Sequence, residues 1–310
     1  MYPLFHRSER TLPEDYTGIV VTCDVDKTYL DTDFESLKGL LAIPFEWAED
    51  KLALAGMTAV LKGLRRGVGK YNAQTPFYFL TASPPFIVNT LYRKMLLDAV
   101  QCDGITCKNW KEIIAKRRKP AWLKRQLAFK LCALLFLRNR LPQAANEILI
   151  GDDTESDALA YTLYADILEG RIGEGEIADI LAKEGSDSQE INEAIEGIAG
   201  IKRGVGRVLC SYIYLAKGTP PAEFKRFGKR LVTVKSAFQL AAHLYIGRFV
   251  DEKTVIETAS ELITRKKATK ETLVEELKEG GERSIFDSVA IEKLMNKLEI
   301  RPSSFRSQAH

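Results

Sequence analysis

Residues 21–32 read VTCDVDKTYLDT, and they pose the question that decides the fold: why the apolar run Gly18–Cys23 ends in two carboxylates, Asp24 and Asp26. A short apolar run that stops at turn-forming residues predicts a strand buried on both faces, as in a parallel sheet. The same pattern recurs down the chain, with strands predicted at 18–23, 77–81, 147–151, 207–215 and 230–234. Helical periodicity fills the intervals at about 47–66, 84–100, 120–141 and 236–249, and residues 155–200 read as acidic helices. Strands alternating with helices predict an α/β fold with a mostly parallel sheet flanked by helices.

Beyond about Asp251 the sequence is mixed in charge, helix-forming and without strands, and predicts a C-terminal helical extension. The domain reading is therefore an N-terminal arm at 1–16, an α/β domain at 17–250 with an acidic helical insert at about 155–204, and a helical tail at 251–310.

Forty-five Lys and Arg against 42 Asp and Glu leave a formal net charge of +3, too slight to argue for a nucleic-acid partner. Distribution says more: Lys116 to Arg140 holds nine basic residues and no acid, whereas 151–200 holds 14 acids and two bases. The basic run has two open readings, attraction to anionic lipid headgroups or a solvated face that balances the acidic segment. Five cysteines without a CxxC pair, set mostly among apolar neighbours, predict reduced thiols and a cytoplasmic setting. No stretch has the apolar core of a signal peptide, and none approaches the roughly 18 apolar residues of a membrane span. The expectation is a protein that is neither exported nor membrane-spanning.

In open parallel sheets, ligands gather at the carboxyl ends of the strands. Three predicted ends are polar: Asp24 and Asp26 close the first, Thr81 and Ser83 the second, and Gly151-Asp152-Asp153 with Asp157 the third. So many carboxylates on one edge repel each other and call for a cation. An all-oxygen donor set suits Mg²⁺, which is usually completed by substrate phosphate, and phosphoryl transfer is the reaction such a site serves.

Other phosphate signatures fail. In GLRRGVGKYN, Leu64 stands where a P-loop needs glycine and Tyr71 where it needs Ser or Thr, and GIKRGVGRV lacks a strand–turn–helix setting. The histidines, His6, His243 and His310, are scattered, against a histidine mechanism or a zinc cluster.

DVDKT, a hydroxyl residue ending the second strand, a lysine on the helix before the third strand and GDDTESD together resemble the four ordered motifs of haloacid dehalogenase (HAD) superfamily phosphatases. More narrowly, VVTCDVDKT, AGMTAVLKGL, PFYFLTASPPFI, FKL, EILIGDDTESDALAY and SAFQLAAHLYIG resemble, in order and spacing, the catalytic domain of phosphatidate phosphatases of actin-patch-associated proteins. The resemblance covers about residues 17–250 and implies a HAD-like Rossmannoid fold. It implies that Asp24 is the nucleophile, and that Asp26 acts first as general acid and then as general base. Thr81, or Ser83 in its place, would bind phosphoryl oxygens, and Lys130, with Lys124 as the weaker choice, would neutralise the phosphoryl group. Asp24, the Asp26 carbonyl and Asp152 would hold Mg²⁺, with Asp157 favoured over Asp153 as the further acid. Lys27 stands where close relatives usually carry an acid, which makes it a candidate substrate contact.

The implied activity is Mg²⁺-dependent hydrolysis of a phosphomonoester through an aspartyl-phosphate, the substrate being phosphatidate or another phospholipid headgroup at an anionic membrane surface. Two alternatives stay open: a small soluble phosphomonoester as substrate, and a non-catalytic scaffold that recruits a partner through the helical tail. The sequence names no protein partner.

Overall fold

The apolar run becomes a strand, β2, Ile19–Asp24, buried along nearly its whole length, with Asp24 as its last residue. In the computed structural model, residues 4–31, 52–69, 74–110, 126–154 and 156–297 are described. They fall into two compact units, one formed by Met1–Ala53 with Thr75–Thr233 and the other by Leu54–Gln74 with Val234–His310.

The first unit is built on a seven-stranded sheet of order β1-β4-β3-β2-β5-β6-β7. Its strands are β1 Leu4–Ser8, β2, β3 Phe77–Thr81, β4 Gly104–Lys108, β5 Asn146–Asp152, β6 Val208–Tyr214 and β7 Leu231–Val234. β4, β3, β2, β5 and β6 run parallel, and β1 pairs antiparallel to β4. After β2 the chain builds outward through β3 and β4, then crosses to β5 on the other side of β2. That reversal is a topological switch point, where doubly wound sheets open a crevice at the strand carboxyl ends. β2 and β5, the strands that end in Asp24 and Asp152, flank it.

Two strands escaped the sequence reading. β4 is fully buried but only five residues long, and Thr106 and Lys108 break its apolar character. β1 lies in the segment read as an arm, and its charged, half-exposed pattern is that of a short sheet edge.

The helices of this unit begin with α2, Val88–Leu97, entered through a 3₁₀ turn at Pro85–Ile87. α3, Leu127–Arg138, is buried at every position but Phe136, in keeping with a sequence that is apolar over most of its circumference. The acidic segment between β5 and β6 folds as α4 Asp157–Leu168, α5 Glu174–Lys183 and α6 Ser188–Ala199. α6 opens with a capping box in which Asp187 and Glu190 exchange bonds of 2.9 and 3.0 Å with each other's amides. The core packs α3, α4 and α6 against one face of the sheet through Leu80, Leu131, Leu134, Leu149, Tyr164 and Ile198.

The second unit is helical: α1 Met57–Arg66, α7 Ala237–Ile246, α8 Glu252–Thr264, α9 Lys270–Glu282 and α10 Ser288–Lys297. α1 starts later than its periodicity predicts because Gly56 takes a left-handed φ of 80° at the entry, a conformation that glycine adopts without the steric cost of a side chain. The earlier part of that predicted helix, 47–51, lies outside the described residues. Asp251 caps α8 by accepting from the Thr254 amide at 3.0 Å, and Arg66 of α1 reaches Glu257 of α8 at 3.0 Å. The predicted tail thus shares its unit with residues that precede β3. Among the described residues, no helix is long and apolar enough to cross a membrane.

Candidate active site

Three strand ends of the first unit bring the predicted side chains together. Asp24 closes β2 and Asp152 closes β5, while Asp157 opens α4 one turn further on. Carboxylate oxygens of these three buried residues lie within 4.8 Å of one another. Lys130 enters from the first turn of α3, fully buried, with Nζ 2.6 Å from Asp24 Oδ1 and 2.6 Å from Asp157 Oδ1. A lysine is removed from water at this cost only where opposite charge receives it.

The cluster is held from several directions. Gly151 lets Asp157 fold back against β5: a Cβ at residue 151 would stand 2.2 Å from Asp157 Oδ2. The same oxygen accepts from the Asp152 amide at 3.1 Å. Asp152 Oδ2 accepts from Thr28 at 3.3 Å, and its Oδ1 accepts from the Thr154 amide at 2.5 Å and from the Thr154 hydroxyl. Tyr161 donates to the Ile150 carbonyl at 3.1 Å, and its hydroxyl lies close against Gly151. Burial first, then the charge of Asp157, pushes its phenol far above the ordinary range, so it stays neutral. Burial and then Asp24 push the Cys23 thiol up in the same way, as for a small buried hydrophobe.

Asp26 stands beside the cluster on the turn after β2, where the Val25 carbonyl accepts from the amides of Tyr29 and Leu30 at 3.0 and 2.9 Å. Its Oδ2 accepts from both hydroxyls considered for the second motif, Thr81 at 3.1 Å and Ser83 at 3.2 Å. Trp110 steadies their loop by donating to the Ala82 carbonyl at 2.9 Å.

Lys27 sits at a left-handed φ of 56° and pairs with Asp31 at 3.4 Å. Asp153 turns elsewhere, accepting from the amides of Lys217 at 2.8 Å and Thr219 at 2.9 Å. Lys124 lies outside the described residues. Thr28, Thr154, Tyr161 and Trp110 were given no role from sequence. Thr28 alone carried a signal, four residues past Asp24 at the end of DVDKT.

Lys130 pairs with two of the three buried carboxylates, Asp24 and Asp157, and the three carboxylates together offer only oxygen as donor. That is the chemistry of a site that holds a hard metal ion.

A phosphoryl-transfer hydrolase is the class this arrangement defines: carboxylates and a lysine converging at the switch point of a parallel sheet. Residues 19–175 match the family model described as phosphatidate phosphatase APP1, catalytic domain, which includes every residue of the cluster. This chain belongs to that HAD-like family and is a phosphoric monoester hydrolase. No curated protein and no solved structure gives a match. Family membership sets aside the scaffold alternative.

Proposed function

We propose that the enzyme is a Mg²⁺-dependent phosphatidate phosphatase that works through an aspartyl-phosphate on Asp24. Asp24, Asp152, Asp157 and the Asp26 carbonyl would hold the ion, which supplies charge neutralisation on the nonbridging phosphoryl oxygens. The Asp24 carboxylate attacks phosphorus as the bond to the leaving oxygen breaks, and Asp26 gives that oxygen its proton. Asp26, now a carboxylate, takes a proton from water as the water attacks phosphorus, which frees Asp24 and releases inorganic phosphate. Lys130 neutralises charge beside Asp24 and Asp157, while the Thr81 and Ser83 hydroxyls, which hold Asp26 in the free enzyme, each turn their single proton to a phosphoryl oxygen when substrate binds.

One observation carries this reading: Lys130 is shared at 2.6 Å by Asp24 and Asp157 within a buried three-carboxylate cluster. Phosphatidate comes from the family's description, and an anionic membrane surface is where that lipid is met.

The test is phosphate release with and without Mg²⁺, from p-nitrophenyl phosphate and from phosphatidate in vesicles, comparing wild type with Asp24→Asn. Magnesium-dependent release that disappears in Asp24→Asn supports the mechanism, and preference for vesicles supports the lipid. Turnover of p-nitrophenyl phosphate alone points to a small soluble phosphomonoester. Release that survives Asp24→Asn overturns the assignment of the nucleophile.

A further inference from the structure

The edge of the first unit that carries the cluster also carries exposed apolar side chains. Three residues past Ser83, whose hydroxyl touches Asp26, the chain presents Phe86 at 52% exposure. The ring is held out by a stiff 3₁₀ turn, with Pro84 and Pro85 before it and buried Ile87 after it. Leu52, 62% exposed, belongs to the same edge, because its carbonyl accepts from the Asp31 amide at 2.9 Å and its neighbour Ala53 bridges to Leu30 in the turn after β2.

Two lysines accompany them. Lys27 is partly exposed on that turn, and its 3.4 Å pair with the exposed Asp31 is of the kind that contributes little energy. Lys217 is exposed on the loop after β6, where Nζ donates 2.7 Å to the carbonyl of Thr154, the residue that holds Asp152.

We infer that this edge is an interfacial docking surface that seats on an anionic phospholipid bilayer, with Phe86 and Leu52 entering the apolar boundary and Lys27 and Lys217 meeting headgroup phosphate. The inference rests on the phosphatidate reading above and deepens it. The headgroup of a lipid with two acyl chains reaches a buried carboxylate cluster only if the mouth of the site lies against the membrane. Apolar side chains at that mouth replace the water that would otherwise fill the gap, and an aromatic ring suits the headgroup boundary. The lysines answer the negative charge of the substrate's own surface.

The experiment uses full-length protein carrying Asp24→Asn, so that lipid is not consumed, and measures co-sedimentation with phosphatidylcholine vesicles containing phosphatidate. Phe86→Ser and Leu52→Ser are added singly. Leu96→Ser is the control: Leu96 is 79% exposed near the C-terminus of α2, about 15 Å along the helix from the site edge. Phe86→Ser is expected to weaken vesicle binding by about tenfold and Leu52→Ser by several-fold, as loss of a seated apolar group implies, with Leu96→Ser unchanged. In the active protein, Phe86→Ser lowers vesicle hydrolysis by a similar factor and leaves p-nitrophenyl phosphate turnover at the wild-type rate.

Equal vesicle binding by wild type and Phe86→Ser overturns the docking surface, as does an equal loss on both substrates, which would place Phe86 in the fold of the site. Absence of vesicle binding in every protein also overturns it. The phosphatidate reading is judged separately, by whether the wild type hydrolyses monomeric short-chain phosphatidate, which needs no surface.

Discussion

Lys130 Nζ lies 2.6 Å from Asp24 Oδ1, and both side chains are almost wholly buried. A lone lysine at that depth, in a helix otherwise apolar on almost every face, is stabilised by the carboxylates that receive it. Lys130→Gln removes the cation and leaves a buried anionic cluster, which should cost about 3–5 kcal/mol of stability. Urea unfolding should show this loss without metal and a partial recovery in Mg²⁺, since an ion that binds only the folded state stabilises it. Activity should fall by two orders of magnitude or more even with the ion present. A fully active Lys130→Gln would remove the lysine from the mechanism.

Gly151 is where the fold of the motif is tightest. Gly151→Ala places a methyl group 2.2 Å from Asp157 Oδ2 and 2.8 Å from the Tyr161 hydroxyl. The carboxylate must swing away, which breaks its contacts with both Lys130 and the Asp152 amide. The expected cost is about 1–3 kcal/mol in thermal unfolding, together with weakened Mg²⁺ binding by calorimetry. Unchanged metal binding would mean that Asp157 is not needed to hold the ion.

The strand ends were legible because burial on both faces writes itself as an apolar run, and a run that stops at aspartate announces an edge. Asp24 and Asp152 stand out on that ground, while Thr81 stands out only through its position relative to Asp24. What the sequence could not supply was direction. Asp153 and Asp157 are both acids just past β5, and only the path of the chain sends one into the cluster and the other to the loop after β6. Thr81 and Ser83 read as alternatives because a strand's last residue is uncertain in sequence, yet both hydroxyls meet at Asp26. β1 and β4 were missed for a different reason: five residues of mixed polarity carry too little period-two signal to stand out against their surroundings.

Asp153 is therefore expected to behave as a clasp. Its two oxygens each accept a backbone amide, from Lys217 and Thr219, and its own amide donates 3.1 Å to the Tyr214 carbonyl. Asp153→Ala should loosen the loop that supports Thr154 and so lower Mg²⁺ affinity by less than tenfold, whereas Asp152→Asn should lower it by more than a hundredfold. Isothermal titration with Mg²⁺ separates the two, and equal losses would make Asp153 a ligand.

His6 sets an acid limit on the sheet edge. On β1 its Nδ1 lies 2.9 Å from Thr106 Oγ1, and its ring meets Phe136 edge-on at 5.3 Å. Burial, reinforced by the positive charge of Arg140, lowers its pKa from the ordinary 6.5 to about 4. The unfolded chain thus binds a proton at a pH where the folded chain does not, and stability rises with pH across that interval. The contribution is whole above about 6.5, declines as the pH falls towards 4, and is gone below it. His6→Gln, which cannot titrate, should flatten unfolding free energy against pH between 6.5 and 4 relative to wild type. Parallel curves for the two proteins would show that His6 takes up its proton as readily in the folded state as in the unfolded one.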